Sequence, residues 1–250
     1  MARDRLDPEC LESTDYTDLA DSRILFRAPN RLSIGGAYFQ GVHVAFDLDQ
    51  LLPPFAPLGR CEDNLWAACL SRLRPDLLIA NPREAAYHKP LEQRTAQRSD
   101  IHRSIIYCNE VLAAILPHPD ASGSPDAFFR AVGASLDSVA GAPLPKFRRW
   151  ISERYCHHLS LLISRMESLL STYGGESVAW DEDMVAAIEE LNETIARPSC
   201  WLPVEFTDDE EGFRSYMQRF GRLLEIWPEL TKKAAHVVDA LLEEAKIRTD

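Results

Sequence analysis

The sequence predicts a mainly α-helical protein with a small mixed α/β portion towards its N-terminus. Two observations predict this class. Beyond residue 98, apolar residues recur every three or four positions almost to the C-terminus, which is the period of an amphipathic helix. Between residues 23 and 97, short clusters of β-branched and aromatic residues instead alternate with turns rich in glycine and proline, which is typical of short strands.

These patterns divide the chain into three parts. Residues 1–22 are acidic, polar and without periodicity, and we expect them to form a flexible tail. Residues 23–97 are predicted to form the small α/β region, and residues 98–250 a helical domain, a bundle of amphipathic helices.

Within the α/β region, strands are predicted at 24–26, 37–46 and 77–80, and a helix is predicted at 62–74. The helix is indicated by apolar residues that fall three or four positions apart. These residues are Leu65, Trp66, Cys69, Leu70 and Leu73.

Glycine, proline and capping residues separate the predicted helices of the C-terminal region. We expect one helix to begin at Ser99-Asp100 and the next to carry Pro125 in its first turn. The segment 141–145 predicts a break, and Gly174-Gly175 and Pro198 are expected to end two later helices.

The last part of the chain predicts two further helices. Thr207 and Glu210 have the spacing of a capping box, and the Trp227-Pro228 pair is expected to end the helix that they begin. The apolar stripe of the final helix comprises Leu230, Ala234, Val237, Val238, Leu241 and Leu242. We interpret such stripes as core-facing, and a groove for a partner helix is the alternative.

Charge and hydrophobicity exclude several classes of protein. The chain of 250 residues has 27 Lys and Arg against 39 Asp and Glu, a net charge of −12. Such a surface repels a phosphate backbone, which disfavours general nucleic-acid binding but remains compatible with a local basic pocket. No apolar run approaches the roughly 20 residues of a membrane span, and the charged N-terminus does not resemble a secretory signal. We therefore expect a cytoplasmic protein without a membrane span.

The six cysteines are far apart and form no CxxC pair, so the sequence indicates neither a zinc site nor a redox motif. We interpret them as reduced thiols that are mostly packed as small hydrophobic residues. They are Cys10, Cys61, Cys69, Cys108, Cys156 and Cys200.

An acidic pair, Glu62-Asp63, lies where a proline-rich loop becomes a helix. The loop would expose a carboxylate and the helix would fix it, which suits a general base for an acceptor hydroxyl. Carboxylates are also favoured at helix N-termini by the helix dipole, so two simple capping acids are the alternative.

Residues 35–90, which contain this acidic pair, resemble the second half of a GT-A-fold glycosyltransferase domain. More narrowly, LLPPFAPLGRCEDNLWAACL followed by YHKPLEQR is similar to bacterial glycosyltransferase-like proteins with a helical C-terminal region. The resemblance is carried by Gly35 and Gly36, the segment 37–46, Asp47 and Asp49, Glu62 and Asp63 with Trp66, the segment 77–80 and His88.

The resemblance implies a role for each matching residue. Asp63 or Glu62 would be the catalytic base that takes the proton of the acceptor hydroxyl. Gly35 and Gly36 would line the sugar pocket together with Trp66. His88 would be a possible ligand of Mn²⁺ or Mg²⁺, which would accompany a nucleotide sugar.

The chain departs from the family in its first half. Only 34 residues precede Gly35, too few for a nucleotide-binding half, so that half is missing, replaced or supplied by a protein partner. Asp47-Leu48-Asp49 spells Asp-x-Asp but follows the glycine pair, and we interpret it as a strand end or a turn. Two functions are therefore expected: transfer of a sugar from a nucleotide donor, or a non-catalytic accessory role of the helical domain beside a degenerate GT-A remnant.

Overall fold

A computed structural model of the chain describes residues 33–34, 51–76, 80–81, 106–118, 124–197 and 199–247. Two short strands, β1 (Ser33–Ile34) and β2 (Ala80–Asn81), pair antiparallel. The helices in these ranges are α1 (Glu62–Leu73), α2 (Cys108–Ile115), α3 (Pro125–Ala140), α4 (Leu144–Tyr173), α5 (Val178–Ile195) and α6 (Glu210–Ile247), and a 3₁₀ turn spans Val204–Phe206.

The mainly α-helical class is confirmed, but the GT-A remnant is wrong. A GT-A domain needs a largely parallel sheet covered by helices, whereas the described residues contain one antiparallel pairing of two residues per strand. The acidic pair and its tryptophan occur here in a helix that packs on another helix, α1 on α2. The predicted tail 1–22 and the strands 24–26 and 37–46 lie outside the described residues.

Helices α3 and α6 form the closest helix pair, and they run antiparallel. A Cβ atom on Gly221 would lie 2.8 Å from the carbonyl oxygen of Gly133, and a Cβ on Gly133 would collide with the carbonyl oxygen of Gly221. Glycine at both positions therefore lets the two backbones touch. The buried side chains around this crossing are Phe129, Val132, Leu136, Phe220 and Leu224.

Polar groups fix both ends of α3. At its start, Ser124 Oγ accepts a hydrogen bond from the backbone N–H of Ala127, and Pro125 occupies the first turn as predicted. At its end, the Arg214 guanidinium of α6 donates to the carbonyl oxygens of Ala140 and Ala142, at 2.8 and 2.7 Å. The Ala140 carbonyl is among those that the end of a helix leaves without a partner, and Ala142 lies in the turn that follows the helix.

Helices α4 and α5 are separated at Gly174-Gly175, as the sequence predicted. Helix α4 ends before Gly174-Gly175, and Gly175 has a positive φ of 90°. The backbone N–H of Gly175 donates to Asp181 Oδ2 at 2.8 Å, while Ser177 caps α5. The break at 141–145 is shorter than predicted, because α4 already begins at Leu144 with Pro145 in its first turn.

The predicted break at Trp227-Pro228 is wrong, since α6 continues through Pro228 to Ile247. Proline lacks an N–H and normally interrupts a helix. Here the Thr231 hydroxyl can donate to the carbonyl of Trp227 at 3.1 Å or of Pro228 at 3.0 Å, and Trp227 Nε1 donates to the Leu52 carbonyl at 2.6 Å. These bonds hold the helix on both sides of the proline.

The start of α6 also differs from the capping box predicted for Thr207 and Glu210. Asp209 Oδ1 accepts a hydrogen bond from the backbone N–H of Gly212 at 2.9 Å, so Asp209 is the capping residue. Thr207 instead donates its hydroxyl to the Val204 carbonyl.

Among the helices of the described ranges, none combines the length and the apolar character that crossing a membrane would require.

The glycine crossing predicts the sign of two substitutions. Gly→Ala normally stabilises a helix interior by about 1 kcal/mol. At Gly133 and at Gly221 we expect the added methyl group to lower the free energy of unfolding by about 1–3 kcal/mol instead, because it would force the backbones apart. Urea unfolding of G133A and G221A measures this, with Ala134→Ser on the exposed side of α3 as the matched control. Stabilisation by either alanine would contradict the close approach.

Candidate functional site

The acidic pair lies in the first turn of α1, as the sequence predicted. Glu62 is exposed and Asp63 is half-buried, and Asp63 Oδ1 accepts a hydrogen bond from the backbone N–H of Asn64 at 2.9 Å. The preceding residue, Cys61, adopts the left-handed conformation with φ 62° and makes no side-chain cap. The two carboxylates thus lie at the end of the helix where the helix dipole stabilises a negative charge. Their role as a catalytic base stays a prediction.

A buried polar cluster fixes the loop that leads into this acidic pair. Asn109 of α2 is fully buried, and its Nδ2 donates to the carbonyl oxygens of Leu58 and Arg60, each at 2.9 Å. The Tyr216 hydroxyl of α6 lies 2.6 Å from Asn109 Oδ1 and 3.1 Å from the Leu58 carbonyl. One amide side chain therefore joins the loop to both α2 and α6.

Glu205, in the 3₁₀ turn, completes the cluster from the other side. Its Oε2 accepts the backbone N–H of Cys108 at 3.0 Å, so this carboxylate caps the start of α2 from a distant part of the chain. Its Oε1 lies 3.6 Å from Cys108 Sγ. Gly59, with φ 81°, faces the same thiol, and a Cβ there would collide with Cys108 Sγ.

The surroundings of the cluster suppress ionisation. Burial raises the pKa of the Cys108 thiol to about 12, and the Glu205 carboxylate adds to this shift. Burial also raises the pKa of Cys61 to about 12, with further contributions from Glu110 and Asp63. The pKa of Tyr216 is raised by burial and then by the neighbouring Cys108. At neutral pH both thiols are protonated, which makes them poor nucleophiles.

Of the other predicted site residues, Trp66 lies within the described ranges. Trp66 is only 1% exposed; its Nε1 donates to the Pro53 carbonyl at 2.8 Å and its ring stacks on Phe55. It thus supports the proline-rich loop from inside. Gly35, Gly36 and His88 lie outside the described residues.

A metal site is the remaining expectation. Within the part of the chain that the structure describes, no three His, Cys, Asp or Glu side chains are grouped closely enough to hold a metal ion. The involvement of Mn²⁺ or Mg²⁺ and of a nucleotide sugar stays a prediction of the resemblance.

The three most important polar residues of this cluster were not found by sequence reasoning. Asn109 offered one signal, since it is a polar residue beside Cys108 and Leu112 on the core-facing stripe of its helix. Glu205 and Tyr216 offered none, because their bonding partners are about a hundred residues away in sequence.

Comparison of the chain with protein-family models, with curated proteins and with solved structures finds no significant match. A functional proposal therefore rests on the contacts and exposed surfaces of the chain itself rather than on similarity to a known protein.

The polar cluster predicts graded losses of stability. Asn109→Ala would leave two loop carbonyls and the Tyr216 hydroxyl without their shared partner, and we expect the free energy of unfolding to fall by about 2–4 kcal/mol. Tyr216→Phe removes the hydroxyl that lies against Asn109 Oδ1 and the Leu58 carbonyl, and it should cost about 1–2 kcal/mol. Urea unfolding provides the measurement, with Tyr173→Phe as the matched control that should change stability by less than about 0.5 kcal/mol. Equal effects of Y216F and Y173F would argue against the cluster.

Proposed function

We propose that this chain is a non-catalytic accessory protein whose helical region binds a partner through α6. The observation that supports the proposal most strongly is a row of exposed apolar side chains on one face of that helix. Ile226, Leu230 and Val237 are 53%, 41% and 58% exposed.

The three side chains share one face by helical geometry. Each residue turns an α-helix by about 100°, so positions 226, 230 and 237 lie within about 40° of each other around the axis. They span about 17 Å along it. Exposed apolar rows of this kind mark interaction surfaces more often than isolated exposed residues do.

Helix α6 also extends past the helix that it packs on. The contact between α3 and α6 extends as far as the ion pair of Asp126 and Lys232, next to the start of α3 at Pro125. The Lys232 Nζ and Asp126 Oδ2 atoms of this pair are 2.6 Å apart. Residues 233–247 continue as helix for about 22 Å beyond that ion pair. The last side chains that the structure describes on this helix, those of residues 233–237, are all exposed, so a partner that covers them would stabilise this part of the helix.

Charges next to the row indicate the chemistry of the partner. Arg219 and Lys233 are exposed, and around the axis of α6 each lies within about 20° of Ile226. An amphipathic helix with an apolar stripe and flanking Asp or Glu residues would satisfy both the apolar and the basic groups. A second copy of this chain is a poorer occupant, because its net charge of −12 would oppose association.

The cluster around Asn109 supports the accessory role over a catalytic one. Its amide, hydroxyl and carboxylate groups bond to one another and to backbone groups, and its thiol is protonated at neutral pH. Such a cluster fixes geometry but supplies no activated group. A partner that completes a GT-A domain is not proposed, since the described residues do not form that fold.

Binding of defined peptides tests the proposal. The probes are two helical peptides of about 20 residues with the same leucine stripe, one flanked by Glu and one by Lys. We expect the acidic peptide to bind at least about tenfold more tightly by fluorescence anisotropy at low salt. Leu230→Ser and Val237→Ser should each weaken that binding by about tenfold or more, because they remove apolar contacts from the row without adding a charge that attracts Glu.

Leu161→Ser is the matched control, since Leu161 is 58% exposed but lies on α4. Binding that is equal for the two peptides, or that L161S weakens as much as L230S does, would contradict the proposal. Self-association that the acidic peptide does not compete with, measured by light scattering, would identify a second copy as the occupant and would also overturn it.

A further inference from the structure

Two cysteines that are far apart in sequence have adjacent sulfur atoms. Cys156 lies on α4 and Cys200 lies in the turn after α5, and their Sγ atoms are 3.3 Å apart. Both are free thiols. A disulfide bond has a length of about 2.05 Å, so the sulfurs would have to approach by only about 1.3 Å.

The packing of the turn holds the two thiols against each other. The backbone N–H of Cys200 donates to the Arg197 carbonyl at 3.2 Å. The next residue, Trp201, is buried edge-to-face against Phe147 of α4, with ring centroids 5.6 Å apart. Because α4 carries both Phe147 and Cys156, this contact fixes Cys200 opposite Cys156.

We propose that Cys156 and Cys200 are a redox pair that a peroxide converts to an intramolecular disulfide. The Cys156 sulfur attacks one peroxide oxygen, the O–O bond breaks, and one water leaves with the thiol proton to give a sulfenic acid. The Cys200 sulfur then attacks the Cys156 sulfur, the S–O bond breaks, and the hydroxide leaves as water with the Cys200 proton. Two thiols and one hydrogen peroxide thus give one disulfide and two waters.

Solvent access assigns the order of the two steps. Cys156 is half-buried, with its Sγ 3.9 Å from Ser152 Oγ, whereas Cys200 is only 2% exposed. Burial raises the pKa of Cys200 to about 12, and Cys156 adds to that shift. The more accessible thiol of Cys156 therefore meets the peroxide. The Cys200 thiol stays protonated until it reacts, and it resolves the sulfenic acid because its sulfur already lies 3.3 Å from that of Cys156.

The bond would join α4 to the turn after α5 and enclose α5 in a covalent loop. Such a loop constrains the unfolded chain more than the folded one. Oxidation would consequently stabilise the helical region without changing its packing.

Mass spectrometry of the full chain treated with hydrogen peroxide tests the proposal. We expect the protein to lose the mass of two hydrogens, and peptide mapping without reductant to find Cys156 joined to Cys200. The crosslink should form at least about tenfold faster in the folded protein than in urea, because folding holds the sulfurs together. In Cys200→Ala, a sulfenic acid should accumulate at Cys156 and be trapped by dimedone.

Cys61→Ser is the matched control, since Cys61 is also half-buried, and this variant should form the crosslink at the wild-type rate. The proposal would be overturned by overoxidation of Cys156 without a crosslink in the wild-type protein. A disulfide that maps to another cysteine pair, or one that forms equally fast in urea, would overturn it as well.

Discussion

The direct contact between the backbones of α3 and α6 is the constraint on which the rest of the described structure depends. At Gly133 and Gly221 the helices meet without intervening side chains, which fixes their register along the axis. The register in turn brings Arg214 to the carbonyls at the end of α3. Tyr216, less than two turns before Gly221, reaches the buried amide of Asn109 in α2. Helix α6 therefore organises both the apolar core and the polar cluster.

Helix α6 serves two purposes with two different parts of its length. Its first part is held by the glycine crossing and by polar bonds to α2 and α3, so it acts as the rigid centre of the fold. Its later part keeps Ile226, Leu230 and Val237 at the surface. Ile226 and Leu230 lie on the part of α6 that packs on α3, so they lose little conformational freedom when a partner docks, which favours affinity.

The parts of the fold that could be predicted are those that local chemistry decides. Pro125 placed the start of α3 and Gly174 the end of α4, because backbone geometry at these residues depends on immediate neighbours. The helix end predicted at Pro228 was wrong because a distant contact acts there. The Thr231 hydroxyl bonds within the helix, whereas Trp227 bonds to Leu52, which is far away in sequence. The GT-A resemblance failed similarly, since a short string of glycines and acids does not determine a sheet.

The candidate site could be predicted only as far as Glu62 and Asp63. The contacts between Asn109 and Tyr216, and between Cys156 and Cys200, join residues that are 107 and 44 positions apart. No spacing rule within one helix reaches that far, so these pairs became visible only when the helices were packed. Leu230 and Val237 belong to the stripe that the sequence predicts to face the core, and that prediction is wrong for both because they are exposed. Ile226 lies outside that stripe.

Amide hydrogen exchange along α6 is a direct test of the idea that the glycine crossing holds the rest of the described fold. We expect slow exchange, set by global unfolding, for the residues around Gly221 and in α3, and exchange at least about a hundredfold faster for residues 233–237. That difference should shrink when a partner helix is bound. Uniform protection along the whole of α6 in the isolated chain, or fast exchange at the glycine crossing, would contradict it.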